Sequence, residues 1–245
     1  MYLQPKVDIR TGLVCGAEAL VRWQHPLRGI ISPAEFIPLA EKTGLIGQIT
    51  EWMLEQACRQ ISSWSRAGLE SVPISVNISA SWFTHRSLVE HIDNLLRRYQ
   101  MDPGMLVLEV TESMLVRDVD KCTERMRELR QRGIAISLDV FGTGHSSLSY
   151  LKVMPLDELK LDRSFVTDIG NSDRDHAVAA SVVQLAQNLD LTVVAEGVET
   201  EAQALVLARM GCHIHQGYLY GKPEPAGSFS AYLMTCEHSA HALTG

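Results

Sequence analysis

The chain has 245 residues, of which 46% are hydrophobic and 21% charged, and its formal net charge is −7. That length and composition suit a single α/β barrel, which needs about 250 residues, and they exclude a disordered or fibrous chain. The negative charge argues against a general binder of nucleic-acid polymers, which carries a basic surface patch. The negative charge does not exclude binding of a small anionic ligand, because metal ions can bridge such a ligand to an acidic protein surface.

Cysteine usage and the absence of long apolar runs bear on location. The five cysteines form no CxxC pair and are odd in number, which predicts reduced thiols in a cytoplasmic compartment. The sequence contains no run of about 18 apolar residues, so no membrane span is predicted. A strand-like pattern begins at Tyr2, so we expect no signal peptide, and a domain that is either a piece of a longer protein or directly follows an upstream module. Residues 236–245 are predicted to form a short flexible tail after a single domain at 1–235.

Short apolar strands alternate with amphipathic helices along the chain. The predicted strands span residues 2–7, 13–22, 73–77, 105–110, 134–139, 158–161, 191–195 and 213–217. A helix is predicted at 33–42, because Ser32 suits an N-cap and Pro33 the first helical position. This alternation indicates a parallel sheet, and eight strands favour its closure into a barrel.

Most of the predicted strands after the second end on a polar side chain. These residues are Asn77, Glu109, Asp139, Glu196 and Gln216, with Lys160 inside the sixth strand. The C-terminal ends of parallel barrel strands are where catalytic groups from different strands meet. Each residue alone could simply cap its strand, but six together indicate a functional rim. In strand 134–139, alternation places Ile136 and Leu138 against the helices, so Asp139 is expected to point inward.

The second predicted strand adds Glu18 and Arg22, which are four residues apart and therefore on one strand face, separated by roughly 13 Å. Glu18 would join the other carboxylates, which repel one another unless a cation holds them. Oxygen ligands with one amide and no His or Cys suit Mg²⁺ or Mn²⁺ better than Zn²⁺. Lys160, the only cation on these predicted rims, is either an ion-pair partner or a group that positions and deprotonates a metal-bound water.

The sequence resembles the EAL-domain family from Tyr2 to about Pro225. The motif that gives the family its name stands here as Glu18-Ala19-Leu20, followed by Arg22. The other matching segments are Gln4-Pro5, Ser32–Pro38, Val76-Asn77, Glu109–Glu112, Phe141–Gly144, Lys160–Asp162, Glu196–Glu199 and Gln216–Tyr218. Three letters alone would mean little, whereas these segments in order are highly specific.

The resemblance implies a modified TIM (β/α)8-type barrel with an antiparallel first strand, and a phosphodiesterase that hydrolyses cyclic di-GMP to linear pGpG. It implies that one Mg²⁺ or Mn²⁺ is held by Glu18, Asn77, Glu109 and Asp139, and a second by Asp139 and Glu196. It further implies that Lys160 assists the attacking water and that Glu112 anchors the loop 140–147. Substrate contacts are implied for Gln4, Arg22, Asp162 and Gln216.

One position departs from the family pattern. Val140 stands where the family usually has a second aspartate, directly after Asp139. Valine cannot coordinate a metal, so we expect a weak second metal and reduced activity. The alternative is a catalytically degenerate domain that binds cyclic di-GMP without hydrolysing it and signals through its conformation. The resemblance is also compatible with a homodimer, an upstream sensory or GGDEF-type module, and a bacterial cytoplasmic location, alone or as part of a larger membrane or sensor protein.

Overall fold

The computed structural model describes residues 1–115, 118–141 and 151–233. Its strands are β1 (Tyr2–Asp8), β2 (Leu13–Leu20), β3 (Trp23–His25), β4 (Gly29–Ile31), β5 (Ile74–Asn77), β6 (Leu106–Thr111), β7 (Ala135–Phe141), β8 (Glu158–Leu161), β9 (Thr192–Ala195), β10 (Ile214–Gln216) and β11 (Glu224–Pro225). Its helices are α1 (Pro33–Thr43), α2 (Ile46–Arg66), α3 (Ala80–Phe83), α4 (Leu88–Tyr99), α5 (Glu112–Leu115), α6 (Val119–Arg130), α7 (Arg163–Thr167), α8 (Asp173–Asn188) and α9 (Glu201–Arg209).

Within these ranges, eight strands close into a barrel in the order β1, β2, β5, β6, β7, β8, β9, β10, with β10 pairing back to β1. β1 is antiparallel to both of its barrel neighbours, β2 and β10, and the other neighbouring pairs are parallel. This arrangement confirms the predicted α/β barrel and its antiparallel first strand. Because β1 runs in the opposite direction, the beginning of β1 lies at the rim where the parallel strands end.

The second strand is shorter than predicted. It ends at Leu20, and the chain then enters the β3–β4 hairpin, which the sequence analysis did not predict. The expectation that Glu18 and Arg22 share one strand face is therefore wrong, because Arg22 lies beyond the end of the strand. Helix α1 begins at Pro33 as predicted, although the Ser32 side chain makes no capping hydrogen bond.

The alternation of side chains divides the barrel into an outer and an inner face. On β7, Ile136 and Leu138 are buried in the hydrophobic core with the surrounding helices. Ser137, on the other face, is equally buried but hydrogen-bonds to Glu158 of β8. The apolar core thus lies between the strands and the helices, and the barrel interior holds polar side chains.

No helix in the described ranges combines the length and the apolar character needed to span a bilayer. The cysteines at positions 15, 58, 122 and 212 are free thiols, and Cys236 lies outside the described residues. The predicted tail at 236–245 also lies outside them, so the proposed domain limit at residue 235 stays a prediction.

Candidate active site

A buried lysine at the C-terminal rim of the barrel is surrounded by carboxylates. Lys160 Nζ lies 2.6 Å from Glu196 Oε1 and 2.8 Å from Glu109 Oε2. It lies 3.5 Å from Glu18 Oε2 and 3.7 Å from Asp139 Oδ1. We call these four acidic residues the carboxylate cluster. Lys160 is only 1% exposed, so its charge is balanced by the cluster rather than by water.

Strand register explains why residues so distant in sequence meet at this rim. Asn77 of β5 pairs with Glu109 of β6, because adjacent parallel strands bring equivalent C-terminal positions side by side. Gln4 of the antiparallel β1 lies opposite Glu18 of β2. The reversed first strand therefore adds its early residues to the site, whereas each parallel strand adds its last ones.

Three side-chain amides join the cluster through hydrogen bonds. Gln216 Nε2 donates to Glu18 Oε2 at 2.6 Å and to Gln4 Oε1 at 3.2 Å. Asn77 Nδ2 donates to Glu18 Oε1 at 2.9 Å, so both oxygens of Glu18 accept an amide hydrogen bond. Gln216 Oε1 is buried without a hydrogen-bond partner among the described residues. A buried acceptor of this kind is suited to a donor from a ligand or a water.

Burial and charge shift the pKa values of the cluster in opposite directions. Burial raises the pKa of Glu18, although Lys160 opposes the shift. Burial also raises the pKa of Glu196 to about 7 against the pull of Lys160. The side chain of Glu109 is fully buried, but Lys160 and Lys6 outweigh the burial and hold its pKa at about 2. Burial disfavours the charged form of Lys160, yet the surrounding carboxylates raise its pKa well above the ordinary value.

The donor set of the rim fits a hard divalent cation. Within the described residues, four carboxylates share Lys160, so the ionised cluster keeps a large excess of negative charge. Asn77 adds an amide oxygen, and oxygen donors of this kind suit Mg²⁺ or Mn²⁺. In the described ranges, no group of three Asp, Glu, His or Cys side chains is already arranged to hold a metal ion. The carboxylates of the cluster are instead gathered around Lys160.

Arg22 contributes to a cavity beside the cluster. Its Nη1 donates to the carbonyl oxygen of Val21 at 2.9 Å, and its guanidinium lies 5.8 Å from the centroid of the Tyr2 ring. Arg22 and Asn77 both line a cavity of about 300 Å³. Arg22 is thus next to a metal-ligand candidate even though it does not share a strand with Glu18.

Three further predicted positions lie around the rim. Asp162 caps helix α7, since its Oδ1 accepts a hydrogen bond from the Ser164 backbone N–H at 2.8 Å, so its substrate contact stays a prediction. Glu112 is the first residue of α5 and is half-buried. The loop that it was predicted to anchor lies outside the described residues from position 142 onward, so that role also stays a prediction. Val140 directly follows Asp139 within β7.

A second lysine inside the barrel, Lys6, was not predicted from the sequence. Lys6 Nζ lies 2.8 Å from Glu158 Oε1, 2.8 Å from Ser75 Oγ and 3.2 Å from Glu109 Oε1. The sequence did hold a signal for it. Lys6 is two residues after Gln4 on β1, and residues two apart on a strand point to the same face. An inward Gln4 therefore requires an inward Lys6.

Lys6 belongs to a second set of polar residues deeper in the barrel, which we call the lower layer: Lys6, Ser75, Ser137 and Glu158. Ser137 Oγ donates to Glu158 Oε1 at 2.8 Å. Each parallel-strand member precedes a rim residue by two positions, as Ser137 precedes Asp139 and Glu158 precedes Lys160. The lower layer is thus the next inward-facing position of the same strands.

Two glycines fix the chain directly after Glu196 and Gln216. Gly197 has φ of +68°, and a Cβ there would collide with the side chain of Arg163. A Cβ on Gly217 would collide with the backbone of Val198. The Val198 backbone N–H donates to the carbonyl oxygen of Gln216 at 3.1 Å. The ends of β9 and β10 therefore lie against each other through the close backbone contact between Gly217 and Val198, which only glycine permits.

Comparison with known proteins identifies the family. The sequence model described as the EAL domain matches residues 1–223. The bifunctional diguanylate cyclase/cyclic di-GMP phosphodiesterase MucR of Pseudomonas aeruginosa is 48% identical over 92% of this chain and 33% of its own length. The cyclic di-GMP phosphodiesterase NbdA of the same species is 42% identical over 95% of this chain and 30% of its own length. The chain thus spans about a third of these curated relatives.

Solved structures agree with this assignment. The PaMucR phosphodiesterase in complex with c-di-GMP has a TM-score of 0.89 and 48% identity, covering 93% of this chain and 92% of that one. The EAL enzyme Bd1971, bound to cAMP and cyclic di-GMP, has a TM-score of 0.90 and 34% identity, covering 95% of this chain and 64% of that one. The chain belongs to the EAL-domain family.

Proposed function

We propose that this domain is a metal-dependent phosphodiesterase that hydrolyses cyclic di-GMP to linear pGpG. The observation that carries the proposal is the carboxylate cluster around a buried lysine, at the barrel rim where such chemistry is placed. Relatives with 42% and 48% identity are named cyclic di-GMP phosphodiesterases, and EAL phosphodiesterases generally depend on divalent metal. The chain spans only part of those relatives, so the activity is a proposal for this domain.

We assign the metal-binding roles as the resemblance implies. Glu18, Asn77, Glu109 and Asp139 would hold one Mg²⁺ or Mn²⁺, and Asp139 with Glu196 would hold a second, weaker one. Bound metal would neutralise phosphodiester charge and lower the pKa of a bound water. The hydrogen bonds from Asn77 and Gln216 fix the carboxylate of Glu18, which limits the reorganisation that binding requires.

Lys160 has a different role from the carboxylates. Among them it is an ammonium that donates hydrogen bonds, at 2.8 Å to Glu109 and 2.6 Å to Glu196. We assign it the orientation of the attacking water and the stabilisation of negative charge that develops during phosphoryl transfer. Glu112, at the start of α5, would hold the loop 140–147 over the site.

Substrate binding is assigned to Arg22, which lines the cavity, and to three polar residues at the barrel rim, Gln4, Asp162 and Gln216. Arg22 would supply a charge-assisted contact to a phosphate. Gln216 offers a buried oxygen without a partner among the described residues, which could accept a hydrogen bond from a guanine edge. Gln4 holds Gln216 through its Oε1 and is held in turn by the carbonyl oxygen of Gly221 at 3.1 Å. Asp162 is assigned a contact with the substrate at the edge of the site.

The deciding experiment is an assay of the purified domain. Cyclic di-GMP is incubated with the protein and Mn²⁺ or Mg²⁺, and pGpG is separated by chromatography. We expect pGpG with metal and none with excess EDTA. Binding of cyclic di-GMP without any pGpG, across a range of metal concentrations, would contradict the enzyme assignment.

Binding of cyclic di-GMP without formation of pGpG is what a second candidate function predicts. A receptor that binds cyclic di-GMP without hydrolysing it is favoured by Val140, which removes an oxygen ligand from the second metal position. We favour the enzyme, because the other proposed ligands and Lys160 are all present. An upstream sensory or GGDEF-type module, a homodimer and a cytoplasmic location stay predictions.

A further inference from the structure

The roles assigned under the proposed function do not include a buried ion pair in the lower layer. Lys6 is 3% exposed, and its ammonium lies 2.8 Å from Glu158 Oε1. Ser137 Oγ donates to the same oxygen of Glu158, and Lys6 also donates to Ser75 Oγ at 2.8 Å. One positive and one negative charge thus balance each other on strands β1 and β8.

The lower layer and the rim are joined at Glu109. Glu109 Oε1 lies 3.2 Å from Lys6 Nζ, and Glu109 Oε2 lies 2.8 Å from Lys160 Nζ. One carboxylate is therefore held between two ammonium groups, one below and one at the rim. Contacts at both oxygens fix the orientation of the carboxylate plane, whereas a contact at one oxygen leaves it free to rotate.

We propose that Lys6 is a positioning residue, which acts through Glu109 to orient a metal ligand of the active site. The proposal rests on the proposed function, because it takes Glu109 as a ligand of the first metal. Residues that hydrogen-bond to metal ligands orient them, and their mutation typically costs about 10–100-fold in metal affinity or activity. Lys6 has the position of such a residue, although it lies on the strand that runs opposite to the others.

The competing explanation is that Lys6 only neutralises Glu158. Removing Lys6 alone cannot separate the two, because it would leave Glu158 buried and unpaired, and that destabilises the fold by itself. A comparison within the Glu158→Gln background avoids the problem. In that background Lys6 keeps its contact with Glu109 but no longer has Glu158 to neutralise.

The experiment compares wild type, Glu158→Gln and Lys6→Met/Glu158→Gln. After removal of metal with EDTA, Mn²⁺ affinity is measured by calorimetry and cyclic di-GMP turnover is measured at several Mn²⁺ concentrations. We expect Glu158→Gln to bind Mn²⁺ about as well as wild type. We expect the double variant to bind Mn²⁺ about 10–100-fold more weakly. Its KM for cyclic di-GMP should stay unchanged, because Lys6 contacts Ser75 and Glu158 below the rim residues that are assigned to substrate binding.

Equal Mn²⁺ affinity in Glu158→Gln and the double variant would overturn the role of Lys6 and leave the proposed function intact. No Mn²⁺ binding by wild type would instead overturn the metal chemistry of the proposed function, and the role of Lys6 with it. If the double variant does not fold, Lys6→Leu/Glu158→Gln also removes the donor to Glu109 but has a differently shaped apolar side chain. The same loss of Mn²⁺ affinity is expected there, and its absence would equally overturn the proposal.

Discussion

The rim and the lower layer are built from the same strands, two residues apart, yet their charges are arranged differently. At the rim, the four members of the carboxylate cluster surround Lys160. In the lower layer, Lys6 faces Glu158, and two serine hydroxyls complete their hydrogen bonds. The charges of Lys6 and Glu158 balance each other within the lower layer. At the rim, by contrast, Lys160 alone does not balance the negative charge of the four carboxylates.

This difference shows how one barrel separates stability from chemistry. A balanced, hydrogen-bonded pair can be buried without a ligand, and it then specifies the packing of the barrel interior. An excess of buried like charge is unfavourable unless a cation binds. Substitutions at the rim should therefore change activity and metal response, and substitutions in the lower layer should chiefly change stability. Lys6 is the exception that we propose, since it contacts Glu109.

The largest effect is expected for Glu18→Ala. The substitution removes a proposed metal ligand and the acceptor of the Asn77 and Gln216 amides. Turnover should fall by about 100-fold or more, and the rise in melting temperature on adding Mn²⁺ should largely disappear. The matched control is Glu158→Gln, a lower-layer carboxylate, which should keep both turnover and the Mn²⁺ response. A Glu18→Ala protein with the wild-type Mn²⁺ response would place the metal elsewhere.

The next effect is expected for Arg22→Ala. A lost charge-assisted contact of about 1.5–3 kcal/mol weakens cyclic di-GMP binding by about 10- to 100-fold. Calorimetry with cyclic di-GMP in excess EDTA, where no metal-dependent turnover is expected, measures the change. Arg10→Ala is the control, because Arg10 is exposed beyond the far end of β1 and pairs with Asp8. Unchanged affinity in the Arg22 variant would remove this residue from the binding site.

A smaller gain is expected for Val140→Asp. The change restores an oxygen ligand beside Asp139, so turnover should rise by about tenfold, equivalent to about 1.4 kcal/mol of barrier, at a lower metal concentration. The measurement is pGpG formation against Mn²⁺ concentration for both proteins, with Val140→Leu as the control. Equal rates would show that a second aspartate is dispensable here, and inactivity of both proteins would favour the receptor.

The smallest effect is expected for Ser137→Ala in the lower layer. Glu158 loses one hydrogen bond but keeps Lys6, so the free energy of unfolding should fall by about 0.5–1.5 kcal/mol while turnover is unchanged. Denaturant unfolding measures the change, and Ser181→Ala on the exposed face of α8 should show no such loss. A large loss of turnover in Ser137→Ala would break the separation between the two layers.

The barrel and most of its rim could be predicted because their signals are local. Apolar runs that end on polar residues mark the parallel strands, and the pleat gives the direction of Asp139. The β3–β4 hairpin was missed, because its three-residue strands are largely exposed and carry no apolar alternation. The end of β2 was missed, because Val21 prolongs an apolar run although the chain leaves the barrel at Leu20.

The partners of the two lysines could not be predicted in the same way. The pleat could have placed Lys6 inside the barrel, but not opposite Glu109, which is 103 positions away in sequence. Which ammonium meets which carboxylate depends on the stagger between non-neighbouring strands. That stagger is set by barrel closure, which no local pattern records.

The closure of the barrel through β1 has a consequence for how the site is assembled. The hydrogen bond between Gln216 and Gln4 joins residues 212 positions apart, and the partners of β1 and β10 are more than 200 positions apart. Contacts between distant segments form late, because loop-closure entropy opposes them. During synthesis, the first strand must wait with an unpaired edge until nearly the whole domain has emerged from the ribosome. An unfinished chain therefore has no assembled active site, and the proposed hydrolysis can begin only when the domain is complete.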